Sequence, residues 1–176
     1  MESKIKALTI NKNIYKTYNI FAYASKGIPG LELRVGAKNS KILKEKMIYL
    51  TRISSIKIPL KRYVICVEET GAPLDKDELK WLELPILILY WSLAEGLPIS
   101  KLDDCLCGGE ITLDGVVRPL QIHGEYLKYF NSVKCEKVWK IITGKGQKEC
   151  LGLVRLPVEE IVHLPLESDL AKSIGS

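Results

Sequence analysis

The spacing of hydrophobic and polar positions changes several times along the chain, and each change marks an element. Residues 5–10 and 18–24 are rich in β-branched and aromatic side chains and flank the polar run Asn11-Lys12-Asn13. They predict an antiparallel pair of strands. After the compact turn Gly27-Ile28-Pro29-Gly30, the stretch Leu31-Glu32-Leu33-Arg34-Val35 alternates as a strand does. From Lys38 to Ile53 the period becomes helical. Leu43, Met47 and Leu50 share one face, and Lys38, Lys41, Lys44 and Arg52 lie close to the opposite one. Residues 63–67 predict a short strand, and residues 68–76 an acidic loop containing Gly71 and Pro73.

The run Leu84-Pro85-Ile86-Leu87-Ile88-Leu89-Tyr90-Trp91 is apolar on every side, which predicts a helix buried all round. Pro85 suits its first turn, where a missing N–H costs nothing, and Gly96-Leu97-Pro98 ends it. Residues 109–113 and 116–120 flank Asp114-Gly115, the dipeptide of a two-residue hairpin turn. A helix over 125–130, a strand over 138–143, a short helix, a strand over 161–164 and a helix over 168–174 complete the pattern. The fold class is therefore α/β with a mixed sheet (α+β). One domain is expected over residues 1–176, with its core at about 5–171 and neither repeat nor linker.

The 47% apolar content suits a globular chain and argues against disorder. No stretch approaches the roughly 20 apolar residues of a membrane span, and residues 1–6 lack the apolar segment of a secretory signal. A cytoplasmic location and no membrane partner are expected. Cys66, Cys105, Cys107, Cys135 and Cys150 show no disulfide-framework spacing and should be reduced thiols. Charge is distributed unevenly. Residues 1–63 carry 14 Lys/Arg against 3 Asp/Glu, a balance of +11, and residues 64–176 carry 12 against 18, a balance of −6. Such an asymmetry fits an anionic partner, an acidic neighbouring subunit, or two halves that neutralise each other within the fold.

Three segments in order carry a family resemblance. They are Gly27-Ile28-Pro29-Gly30-Leu31 with Val35-Gly36 behind it, Leu84-Pro85-Ile86 opening the apolar helix, and Gly109-Glu110-Ile111-Thr112-Leu113-Asp114-Gly115-Val116-Val117-Arg118-Pro119. Together they resemble the N-terminal domain of the competence-protein ComM family, which is related to the magnesium-chelatase ATPase subunit. The resemblance runs from about Ile5 to Ala171. It implies the Lon-protease-C-terminal-like fold shared with RadA-type recombination proteins and GHMP kinases, with the apolar helix beneath the sheet. The chain departs from the family at residues 68–76, which keep only Ala72-Pro73 and Asp75 of the usual pattern. It departs a second time before Leu-Pro-Ile, where the usual acidic residue is present only as Glu83.

Placed on the Lon protease pattern, Ile86 stands at the nucleophilic serine position and Gly124 at the lysine position. Neither supplies the hydroxyl or amine of a dyad, and Lys128 has no nucleophile to activate. Gly144-Lys145-Gly146 lacks the spacing and hydroxyl of a phosphate-binding P-loop and reads as a turn. The carboxylates of residues 68–76 would repel a kinase substrate's phosphates. Cys105 and Cys107, with His123 and His163, fall short of zinc-ligand spacing and read as buried thiols on one face of a strand. No enzyme activity, cofactor or metal is expected, and any ATPase activity would need a separate AAA+ module.

Anion binding remains. Lys38, Lys41, Lys44 and Arg52, followed by Lys57, Lys61 and Arg62, form the kind of basic stripe that meets a phosphate backbone. The resemblance implies DNA contact or subunit contact in a recombination or branch-migration assembly. A purely structural or oligomerisation module is the alternative. Tyr15, Tyr18, Phe21 and Tyr23 could stack on bases but read first as strand-core residues.

Overall fold

The computed structural model describes residues 1–36, 40–68, 74–99, 101–123, 125–126, 138, 140–148 and 153–162. β1 (Glu2–Asn11) and β2 (Ile14–Ser25) pair antiparallel along their full common length, from Glu2 opposite Tyr23 to Asn11 opposite Ile14. Lys12 and Asn13 form the turn with φ of 48° and 62°. Two left-handed residues match the right-handed twist of the strands they join, and asparagine tolerates that conformation. β3 (Gly30–Arg34) lies parallel to β4 (Arg62–Glu68), and β4 pairs antiparallel with β2.

On the other side of β1 the pairing is parallel throughout. β5 (Cys105–Cys107), β8 (Lys140–Thr143) and β9 (Val154–Pro157) follow one another outward. The result is a seven-stranded mixed sheet in the order β3-β4-β2-β1-β5-β8-β9, with β6 (Gly109–Ile111) and β7 (Val117–Pro119) as a separate hairpin. The class is α+β.

Two helices cover the inner face of the sheet. α1 (Ser40–Ile53) buries Leu43, Met47 and Leu50, as its period predicts. α2 (Lys76–Leu79) and a 3-10 turn (Lys80–Leu82) lead into α3 (Glu83–Leu93), where ten of eleven residues are buried. With no polar stripe, α3 can only sit inside, against Ile5, Ala7, Ile20, Ala22 and Ile65. Trp91 donates its indole N–H to Thr51 Oγ1 at 2.9 Å, and Thr51 donates to the Met47 carbonyl at 2.7 Å, which ties α3 to α1. On the outer face a smaller cluster of Leu8, Leu106, Leu120, Ile122, Val138 and Ile141 covers the β1-β5-β8 half.

Several expectations need correction. The β6–β7 connection is a three-residue loop, Leu113-Asp114-Gly115, because Thr112 N–H bonds the Val116 carbonyl at 2.9 Å. Gly115 N–H closes a turn on the Thr112 carbonyl, and Gly115 takes φ 85°. Asp-Gly serves that looped form as well as the tighter one. The expected strand over 161–164 is displaced. The strand is β9 at Val154–Pro157, and α4 (Val158–Val162) follows it directly, so Ile161 is helical. α2 at Lys76–Leu79 is an additional element, directly after the loop expected over 68–76. α3 ends at Leu93, just ahead of Gly96-Leu97-Pro98, and Glu95 takes the left-handed conformation (φ 59°). The N–H groups of Glu95 and Gly96 bond the carbonyls of Ser92 and Trp91, which closes the last turn. Of the expected helix over 125–130 only residues 125 and 126 are described, and both are helical. The expected helix over 168–174 lies outside the described residues.

Candidate anion-binding face

α1 presents its polar side away from the sheet, and the basic residues distribute along it unequally. Lys41 and Arg52 are exposed, Lys44 is half-buried, and Lys57 and Lys61 are exposed in the connection to β4. None of these five forms an ion pair among the described residues. Between Ser40 and Lys61, Glu45 is the only acid. Arg62 differs. Its guanidinium lies 2.6 Å from Glu32, which also takes Arg34 at 2.9 Å. The two guanidiniums hold the Glu32 carboxyl below its usual range, and Glu32 raises both arginines in return. Lys38 lies outside the described residues.

A groove of about 530 Å³ runs between β3 and the first turns of α1, with Ser40, Lys41, Lys44, Glu32 and Arg62 on its walls. The structure thus brings Lys41, Lys44 and Arg62 to one groove and places Arg52 on the last turn of α1. Such an array can hold an anion by charge. An acidic partner would meet it without fixed geometry, because the fold restrains none of the five free side chains through a counter-ion.

Lys46, on the same helix, was not singled out by sequence and behaves in the opposite way. Its ammonium lies 2.5 Å from the Glu83 carboxylate, which is buried at the start of α3 and also accepts the Ile111 N–H at 3.3 Å. Burial pushes the Glu83 carboxyl above its usual range, against the pull of Lys46 and the Ile111 N–H. Beside it, a Cβ on Gly109 would stand 3.0 Å from the Leu84 side chain. The segments that open α3 and β6 therefore meet in space, and Lys46 of α1 completes the junction.

Two further chemistry-bearing residues, Cys105 and Cys107, are accounted for by packing. Cys105 and Cys107 face the same side of β5 and are buried. Burial pushes the Cys105 thiol up to about 12, helped by Asp104, and raises Cys107 well above its ordinary value. Among the described residues no three His, Cys, Asp or Glu side chains cluster as a metal site. His123 is exposed, and His163, Gly124 and Lys128 lie outside the described residues. Ile86 is fully buried in α3. Gly144-Lys145-Gly146 is a turn, as expected, and the Lys145 N–H is taken by the chain's own Glu159 carboxylate at 3.1 Å.

Of the four β2 aromatics, only Tyr18 is buried in the core, donating to Glu78 at 3.0 Å. Tyr15 packs on Tyr126 with ring centroids 4.5 Å apart. Phe21 is an exposed residue and Tyr23 half-buried, both on the outer face, so the core expectation fails for this pair. The two-residue period of a strand puts them opposite Ile20 and Ala22. Compared with protein-family models and with curated proteins, the chain matches none.

Proposed function

We propose that this chain is a non-catalytic contact domain with a Lon-like fold, similar to the ComM N-terminal domain. Its α1 face would meet the phosphate backbone of DNA in a recombination or branch-migration assembly. One observation carries the reading: Lys41, Lys44, Arg52, Lys57 and Lys61 stand on one connected stretch without a carboxylate partner among the described residues. Cations left without counter-ions supply the sequence-independent, salt-sensitive part of nucleic-acid binding. The family resemblance of the three motif segments supplies the assembly. Two of them, the segments that open α3 and β6, lie together at the Glu83 junction, which supports the reading.

The test is retention of a DNA duplex as salt is raised, for the native chain and for Lys41→Glu/Lys44→Glu/Arg52→Glu. The native chain should lose affinity steeply with salt, and the triple variant should lower the slope by about 0.9 for each lost phosphate contact. Equal slopes would remove α1 from the DNA reading.

Subunit contact is the second reading, favoured by the exposed Ile42, Tyr49 and Ile53. Their spacings of seven and four residues align them on one side of α1. A mass that rises with concentration, and falls on changing Ile42 and Ile53 to Ser while DNA is never retained, would put subunit contact first.

A further inference from the structure

β3 and β4 run parallel with Gly30 opposite Arg62. Ile28 and Leu60 each stand two residues before those paired positions, so their loops leave the same end of the sheet side by side. The Gly30 N–H donates to the Lys61 carbonyl at 3.1 Å and pins one loop to the other. At this end Ile28 is 88% and Leu60 86% exposed, the two largest values among the described large apolar residues.

The protrusion is built into the fold. The Lys61 N–H returns to the Pro59 carbonyl at 2.9 Å, which closes a three-residue turn with Leu60 at its apex. The buried Tyr63 donates its hydroxyl to the same carbonyl, also at 2.9 Å. Pro29 stiffens the neighbouring loop directly after Ile28.

The two loops themselves are cationic, although Glu95 lies near enough to raise the Tyr63 hydroxyl and Glu32 lines the groove beside Ile28. Residues 24–31 and 52–62 contain Lys26, Arg52, Lys57, Lys61 and Arg62 and no Asp or Glu. Arg62 is committed to Glu32, whereas Lys26, Lys57 and Lys61 are exposed without an ion pair among the described residues. Phosphates of a duplex would use those lysines and leave both apolar tips in water. An interfacial layer would use both kinds of group: acyl chains would cover Ile28 and Leu60, and anionic headgroups would meet the ammoniums.

We propose that the Ile28–Leu60 end of the sheet docks peripherally on an anionic lipid surface. No crossing segment is involved, and among the described residues no helix is long and apolar enough to span a bilayer. The proposal shares Lys57 and Lys61 with the DNA reading, and Ile28 borders the same groove as Lys41 and Lys44, so Leu60 is the group that separates the two.

Co-flotation with vesicles tests it. The full chain should float with phosphatidylcholine vesicles containing about one third phosphatidylserine, less so as salt rises, and stay behind with phosphatidylcholine alone. Ile28→Ser/Leu60→Ser should lower vesicle partitioning about tenfold or more, and Leu60→Ser alone should lower it while leaving duplex retention unchanged. Lys26→Ala/Lys57→Ala/Lys61→Ala should lower it by a similar factor. As a second measurement, Leu60→Trp should gain blue-shifted emission only with the anionic vesicles. Failure of the native chain to float, or equal flotation of the double serine variant, overturns the proposal. So does a double variant that changes self-association or capture of an acidic protein while vesicle partitioning stays the same.

Discussion

Lys46 and Lys41 leave the same helix five positions apart, and the fold treats them in opposite ways. Lys46 turns inward to the buried Glu83, which in turn holds the Ile111 N–H of β6. Lys41 turns outward beside Lys44 at the mouth of a groove and has no carboxylate partner among the described residues. One cation is a fixed part of the junction between α1, α3 and the β6–β7 hairpin. The other is held by nothing but its own stem. Structural charges are thus recognised by a buried partner from a distant part of the chain, and available ones by the lack of such a partner.

The inner side should break hardest at Gly108, directly before the hairpin that supplies Ile111. A Cβ there would stand 2.4 Å from the Leu8 carbonyl oxygen, a backbone atom of β1 that cannot swing aside. Gly108→Ala should cost about 3 kcal/mol or more in urea unfolding. A cost below about 1 kcal/mol would mean that the hairpin shifts freely on the sheet.

Glu83→Ala comes next. It leaves Lys46 facing a low-dielectric junction alone, and about 2–3 kcal/mol should be lost near neutral pH, less than for a fully buried pair because Lys46 keeps some access to water. Its titration adds a sign. The folded-state value of Glu83 is raised, so its stabilising contribution is complete below the ordinary carboxylate pKa and declines as pH climbs through the raised value. Glu83→Gln should flatten that part of the stability–pH curve, and an unchanged curve would assign the pH dependence to other groups.

On the outer side the expected change is the smallest. Lys41→Ala/Arg52→Ala should alter unfolding free energy by no more than about 0.5 kcal/mol. A larger loss would show that these side chains are structural too, and the contrast with Lys46 would fall.

The parts of this fold visible in the sequence are those whose signals are local. The β1–β2 pair, the two sides of α1 and the all-round burial of α3 follow from spacing within one element. α2 carries a local signal as well. Asp75 caps it and Glu78 reaches back to the Asp75 N–H, the reciprocal pattern of an acidic or hydroxyl residue followed three later by Glu. β9 gave little warning, because Val154-Arg155-Leu156-Pro157 is short and half-polar and becomes a strand by pairing with β8.

The site was legible in part. Spacing put Lys41 and Arg52 on the outer side of α1, but the capture of Arg62 by Glu32 and of Lys46 by Glu83 joins residues 30 and 37 positions apart. Nor can alternation along β2 say which half of the outer sheet face is covered. Hence Tyr15 finds Tyr126 while Phe21 remains exposed. The Ile28 and Leu60 tips share an end of the sheet only because β3 and β4 are parallel and in register.

The position of β1 has a consequence for how the molecule is made. It lies mid-sheet, between β2, which follows it across a two-residue turn, and β5, whose Cys107 pairs with Ala7 100 positions earlier. On a ribosome adding roughly 5–20 residues per second, the hairpin with β2 can close at once, whereas the other edge waits about 5–20 s for its partner to be synthesised. During that interval the chain carries an open edge of Ala7, Leu8 and Thr9, residues fully buried once folding is complete. Aggregation and chaperone capture would compete with folding at this edge, and the emergence of β5 ends that competition.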